Sequence, residues 1–492
     1  MPQLTLSSYI AAVDSAVKTK NGTALAKLFP LFNSAPSSSS TLLLEFLEQQ
    51  QLKGGLQRSD RTLGPPGTTP SYAGQFSRTL KQDWAEIATC HVQALIALNP
   101  PTDRASGVPF VATEPIFAFE KQHELVNTLY RHLINSKDPN TGWCLDLLYR
   151  VCEDLRVVAQ QADARLVDQQ QKPGKLEEAS RLLQKCFSCC LNDRSGEWAT
   201  SRKMGTYYLA TLLFKTYFKL NSTALCKNII RGIHAAELPT LDKYPRAHQT
   251  GYNYYLGVFA FLREDYKDAE ARFIDCLEGI HRKASRNISL ILDYLIPLLL
   301  LRGVFPSQKL LRLSTSHRML YGPFVNAIKN GDVRAYDAQL ERVEKRLMGR
   351  GSWLVVERAR TACIRGLLKK TWVLEGKPSR VSIETFRKYY NAALHVGLSL
   401  DDPARTMTYD AEEMECLLAN YINKGLIKGY ISHAHQLVVL SKERPFPWFP
   451  AYRVLPPSAQ QARDAKELEE RSKQSNIPLL PTSSANGDDA KA

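Results

Sequence analysis

His433 and His435 stand two residues apart, a spacing that sets both imidazoles on one side of a strand or turn and serves zinc binding when an Asp follows about ten residues later and a Glu comes from elsewhere. Here that place is taken by Ser441 to Arg444, with no acid before Glu443 in the right register. The pair therefore reads as a solvated turn. Cys186, Cys189 and Cys190 make a C-x-x-C-C run, yet no second pair stands at zinc-ribbon distance, and cysteines four apart on a helix suit a core better than a metal. Gly349, Arg350 and Gly351 lack the spacing of a phosphate loop, and no Ser/His/Asp or Cys/His signature stands out. The sequence predicts no catalytic residue, no cofactor, no metal and no enzyme.

Cations carry more information. The net charge is +15, and residues 302–445 hold 24 Lys and Arg against 14 Asp and Glu, so +10 of the +15 sits in that stretch. Polyanions are the expected partners. Arg380, Arg387, Lys388, Lys424, Lys428, Lys442 and Arg444 fall at positions predicted to face outward, with Tyr430 between two of them. Cations beside phosphates gain affinity by releasing counterions, and an exposed aromatic stacks on an unpaired base. The plain alternative is a solvated basic face, and charge by itself does not separate the two. No set of Arg, Asn and Gln stands on the helix Glu412 to Lys424 to reach base edges, so the binding expected is to RNA or DNA without sequence specificity. A second basic group, Arg312, Arg318, Arg334, Arg342, Lys345, Arg346 and Arg350, runs beside Trp353 and Trp372. Both tryptophans also have an ordinary place in a helix core.

The stretch Tyr409 to Pro447 must position most of these groups. Asp410 followed by Glu413 is a capping box. Met414, Leu417, Leu418, Tyr421 and Ile422 then recur at helical spacing, and Gly425 ends the helix. The period then changes to two: Ile427 and Ile431 on one face, Lys428, Tyr430 and Ser432 on the other, followed by an apolar run from Leu437 to Leu440. Upstream, Val381 and Ile383 supply a short strand. Phe386, Tyr390, Ala393 and Leu394 line one helix, and Val356, Ala359, Cys363, Ile364 and Leu367 line another. Helix, strand, helix, helix, strand, strand is the order of a winged helix.

The remainder reads as helices. Residues 1–52 are N-terminal helices built on Ile10, Val13, Val17, Leu25, Leu28 and Phe29, with a short one at Leu42 to Leu52. Residues 53–75, rich in Gly and Pro, are predicted to be a disordered insertion. Helical periodicity fills 76–350, from Phe76 to Leu98 and then through Phe117 to Asn135 and Trp143 to Gln171. Within Tyr252 to Ile280, Gly257 on one helix, Asp265 and Tyr266 at the turn, and Ala269 with Phe273 on the next approximate a tetratricopeptide repeat. The fold expected is mainly α, a tetratricopeptide-like helical array capped by a winged helix at 351–447, then a mostly disordered tail at 448–492. The longest apolar run, Ile288 to Leu301, is broken by Asp293 and Pro297, so no membrane span is predicted. The first residues show no secretory pattern, and ten cysteines without framework spacing suit reduced thiols.

Two runs, ECLLANYINKGLIKGYISH with VVLS after it and DYLIPLLLLRGVFPSQKLL from Asp293 to Leu311, resemble the PCI-domain proteins of the proteasome lid, the signalosome and initiation factor three. Within them the chain is most similar to the COP-nine-signalosome subunit-twelve-like family, which includes the PCI subunit of the messenger-RNA export complex TREX-two. The similarity covers about residues 200 to 450, where the PCI domain would begin within the helical region. The resemblance implies a non-catalytic scaffold, nuclear and also cytoplasmic, that binds another PCI-domain protein, a small acidic proteasome-lid-type subunit and nucleic acid. It places the acidic subunit near Arg342, Arg346, Trp353 and Trp372. The alternative it implies is a signalosome-associated subunit that packs its winged-helix edge, with Leu437 and Val439, against other PCI subunits.

Overall fold

The computed structural model describes residues 6–32, 73–99, 113–136, 141–194, 198–312, 314–395 and 408–447. The chain is mainly α and divides into two compact units, Met1–Tyr252 and Asn253–Ala492.

In the first unit, α1 (Leu6–Lys18) buries Tyr9, Ile10 and Val13, and α2 (Gly22–Leu28) starts where the Asn21 side chain accepts from the Ala24 N–H. The periodicity read from Phe76 to Leu98 is two helices, α3 (Ala73–Thr79) and α4 (Gln82–Leu98), because Lys81 adopts an extended conformation between them. Helix α3 also takes in Ala73 to Gln75, which corrects the disordered insertion at its end: Phe76 is fully buried and secures the turn before it. Residues 53–72, the expected helix at 42–52 and the tail 448–492 lie outside the described residues. The helices α5 (Pro115–Asn135), α6 (Leu145–Asp168), α7 (Lys175–Leu191), α8 (Thr206–Lys219) and α9 (Thr223–Ala235) follow, and from α4 to α9 each packs on the next. Each has an apolar stripe that its neighbour covers.

In α10 (Arg246–Leu262) the last turns belong to the second unit, where α11 (Tyr266–Gly279) lies against them. A Cβ on Gly257 would stand 3.0 Å from the Phe273 ring, so the small residue sets how closely the pair approaches, as its repeat-like spacing implies. Helix α12 (Ser285–Leu301) continues through Pro297. Among the described residues no helix is long and apolar enough to cross a membrane. After the short α13 (Gln308–Arg312), α14 (Thr315–Asn330) and α15 (Val333–Met348) form a hairpin of helices, both packed on α16 (Trp353–Leu374).

The winged helix is the last element of the described residues. It runs α16, β1 (Arg380–Ser382), α17 (Ile383–His395), α18 (Ala411–Asn423), β2 (Gly429–Ser432) and β3 (Leu437–Leu440). The capping box on α18 is formed, Asp410 accepting from the Glu413 N–H at 2.7 Å and Glu413 accepting from the Asp410 N–H at 3.0 Å. Gly425, at φ 71°, takes the left-handed conformation just past the C-cap. Ile383 proves to be the first residue of α17 rather than part of a strand, although its N–H still donates to the Gln436 carbonyl. The sheet order is β1-β3-β2, antiparallel throughout. Strand β3 is thus central, not an edge. Val438 and Leu440 point into the core, and Leu437 and Val439 lie half-buried on the outer face.

Candidate functional site

After β3 the chain turns back across α16. At the crossing the Arg365 guanidinium donates to the carbonyls of Leu426, at 3.2 Å, and Pro447, and lies 5.9 Å from the Phe446 ring centroid. Its burial lowers the Arg365 pKa. Trp372, near the end of α16, donates its indole N–H to the Pro378 carbonyl at 2.9 Å and meets Phe446 at 5.6 Å. These contacts fix one wall of a groove of about 850 Å³. The lining also takes in Gly303 to Phe305 and the end of α14, where the Lys329 ammonium sits 5.2 Å from the Phe305 ring centroid.

Among the described residues the groove is lined by five cations, Lys329, Arg365, Lys369, Lys442 and Arg444, and three aromatics, Phe305, Trp372 and Phe446, and by no Asp or Glu. Glu443 lies between two of the cations in sequence but not on the lining. Lys329, Lys369, Lys442 and Arg444 are exposed. A recess walled by one sign of charge focuses its field and raises the local concentration of anions.

The predicted nucleic-acid residues do not form one face. Lys442 and Arg444 enter the groove, and Lys428 is tied beside them, its N–H donating to the Pro445 carbonyl at 2.7 Å and its carbonyl accepting from Ser441 at 2.9 Å. Arg380 and Tyr430 pair on either side of Val439, which puts them on the outer face of the sheet, Tyr430 62% exposed. Arg387 grips Glu384 with two hydrogen bonds, at 2.6 and 2.7 Å, and Lys388 stands 4.0 Å from the same carboxylate. The hydrogen bonds from Arg387 lower the Glu384 pKa, so the cations of α17 already face an anion. Lys424 is exposed at the end of α18.

Lys329, Arg365, Lys369 and Phe305 were not singled out by sequence, since they come from separate elements. One signal existed: Arg365, Lys369 and Trp372 stand at i, i+4 and i+7, on one face of α16.

The second surface divides as well. Trp353 opens α16 and Trp372 nearly closes it. Nineteen residues at 1.5 Å each put them about 28 Å apart, too far to share a pocket. Trp372 belongs to the groove. Arg342 and Arg346 are exposed on α15, Arg346 donating to Ser316 Oγ at 2.6 Å. Arg350 is bound to Asp293 on α12, which also holds His317 Nε2 at 2.7 Å. Ser314 Oγ lies 2.7 Å from His317 Nδ1, so a Ser-His-Asp line exists that the sequence did not reveal. His317 is fully buried with both ring nitrogens occupied and Arg350 bound to the acid. The line works as a clasp joining α12, α14 and the turn before α16.

His433 is engaged by Glu415 of α18 at 2.9 Å, and among the described residues no group of three or more His, Cys, Asp or Glu is placed to hold a metal. Cys186 and Cys190 are buried. A hydrogen bond to Cys152 together with burial raises the Cys186 pKa well above its ordinary value, and burial does the same for Cys190. Both are neutral core thiols.

A family model described as the PCI domain matches residues 356–442, which contain Arg365, Lys369, Trp372 and Lys442 of the groove. A protein from Mycosarcoma maydis named Protein CSN12 homolog is 34% identical over 475 residues, spanning 90% of this chain and 97% of its own length. The chain belongs to the CSN12-like family of PCI proteins. A second Protein CSN12 homolog, from Schizosaccharomyces pombe, is 32% identical over 90% of this chain and 98% of its own. PCI domain-containing protein 2 of Danio rerio is 30% identical over 91% and 98%. For this CSN12-like chain the similarity runs nearly end to end, well past the PCI domain into the helices that precede it.

Proposed function

We propose that the chain is a non-catalytic PCI scaffold subunit of a nuclear complex in messenger-RNA biogenesis and export, also present in the cytoplasm. It binds another PCI-domain protein, a small acidic subunit and RNA or DNA. The observation that carries the nucleic-acid part is the groove, where five cations and three aromatics converge without one carboxylate on the lining. Phosphates neutralise such a wall and release counterions, so affinity falls steeply with salt and is indifferent to sequence. Exposed Arg342 and Arg346 with half-buried Trp353 suit the acidic subunit, the ring giving affinity and the charges the on-rate.

Oligonucleotide binding by the full chain at several salt concentrations tests the first point, comparing wild type with the triple variant Lys428→Glu, Lys442→Glu, Arg444→Glu. Loss of affinity and a flatter salt slope are expected; wild-type affinity in the variant would sink the nucleic-acid role. Affinity purification with and without nuclease tests the rest, recovery of a PCI partner with an acidic subunit being the expected result.

A second reading, a signalosome-associated subunit acting only in assembly, is favoured by the half-buried Leu437 and Val439 on the outer face of the sheet. Because β3 is central, docking there would use side chains and not strand pairing. Recovery of signalosome subunits by wild type, abolished by Val439→Asp with nucleic-acid binding intact, would select it.

A further inference from the structure

We infer that the groove admits single-stranded nucleic acid and excludes duplex, seating an unpaired base against Phe305 and Trp372 with flanking phosphates on Lys369, Lys442 and Arg444. This rests on the nucleic-acid reading above and says which form of the polymer the site takes.

Three observations converge. The first is size: about 850 Å³ is the volume of a small-molecule pocket, room for a base or two and not for a double helix. The second is the nature of the aromatic surface. Phe305 is 38% exposed although it lies on the groove lining with Lys329 beside its ring. The Trp372 indole N–H is already committed to Pro378, so it offers a ring face and no hydrogen bond to read a base edge. A face without a donor is a sequence-tolerant stacking platform. The third is arrangement. The exposed cations Lys369, Lys442 and Arg444 share the lining with those rings, whereas a groove made only to hold a duplex backbone would need the charges alone. In a duplex each base face is covered by its neighbours; only an unpaired base can present one to Phe305.

The test uses the full chain, a labelled single-stranded oligonucleotide and the duplex of the same sequence and length, with Phe305→Ala and with the pair Lys442→Glu, Arg444→Glu. Phe305 is partly exposed, so its truncation leaves the core intact, and a circular dichroism melt confirms this. Wild type should bind the single strand at least about tenfold more tightly than the duplex. Phe305→Ala should lose about five- to a hundredfold for the single strand, the range of one base stack, and nothing for the duplex. The charge variant should lose the single strand and leave the weaker duplex binding largely unchanged. Equal binding of the two forms, unaffected by Phe305→Ala but lost in the charge variant, would overturn the single-strand inference and leave the nucleic-acid role standing. No salt-sensitive binding to either form by wild type would overturn both.

Discussion

Arg150 and Arg202 in the first unit each meet a buried carboxylate, whereas Lys369, Lys442 and Arg444 line a groove that has none. Arg202 binds Asp193 through two nitrogens, at 3.2 and 2.8 Å, and donates to the Leu133 carbonyl at 2.7 Å. Arg150 binds Asp154 at 3.1 Å and the Phe32 carbonyl at 2.6 Å, while the Leu31 N–H donates to the same carboxylate at 3.0 Å. There the cations join distant chain segments. In the groove the same charge type is exposed, and among the described residues no carboxylate shares its lining. A cation's role is decided by whether an acid is folded up against it, which a count of charges cannot report.

That contrast breaks most readily at Arg202. Its replacement by Ala removes the cation facing Asp193, 4% exposed, and leaves that carboxylate only the Ser201 hydroxyl and the residue-202 N–H, which should cost about 3 kcal/mol, read as a lowered urea midpoint, with oligonucleotide affinity of the folded fraction unchanged. A stability loss under about 1 kcal/mol would show that the pair is not structural.

The next effect separates the units by pH. His91, fully buried against Tyr9 with a 3.0 Å hydrogen bond, is held down at about 4 by burial. A His lowered in the folded state contributes stability that is present above its unfolded pKa and lost as pH falls from 6.5 to about 4, here about 3 kcal/mol. Asp154, pushed up to about 6 by burial, has the opposite sign: its contribution is present below 3.8 and lost as pH rises through 6, so it offsets part of the His91 loss. His91→Asn should therefore become more stable relative to wild type as pH falls from 6.5 to 4, in urea melts at several pH values. Parallel curves would refute the assignment.

A smaller loss, about 1 kcal/mol, is expected when Asp410→Ala removes the α18 cap, visible as a small drop in melting temperature. Smallest of all is Lys369→Ala, which should shift stability by less than about 0.5 kcal/mol while lowering the salt slope of binding by about 0.7 to 0.9. That pairing of outcomes, next to Arg202→Ala, is the sharpest form of the comparison.

The winged helix was legible because its signals are local: Asp410 with Glu413, Gly425, and the change of period after it all lie within one stretch. The fully buried Phe76 shows the converse, an aromatic whose pull on Ala73 to Gln75 could not be weighed beside so many Gly and Pro. The groove was half legible. Lys442 and Arg444 were marked by charge, but Lys329 and Phe305 reach the site from α14 and the loop after α12, and sequence distance hid them. Arg387 and Lys388 misled for the opposite reason, since Glu384 at i−3 and i−4 takes up their charge. Leu437 and Val439 were assigned to a sheet edge that β3 does not form, because strand order depends on where β1 inserts.

Arg365 holds two carbonyls that come from different parts of the winged helix, Leu426 just before β2 and Pro447 after β3, while its own backbone lies in α16. The groove wall and the hairpin's anchorage are therefore one set of hydrogen bonds. An occupant of the groove would press on the side chain that makes those bonds, so the amides of the 426–447 segment are expected to exchange with deuterium more slowly when it is occupied.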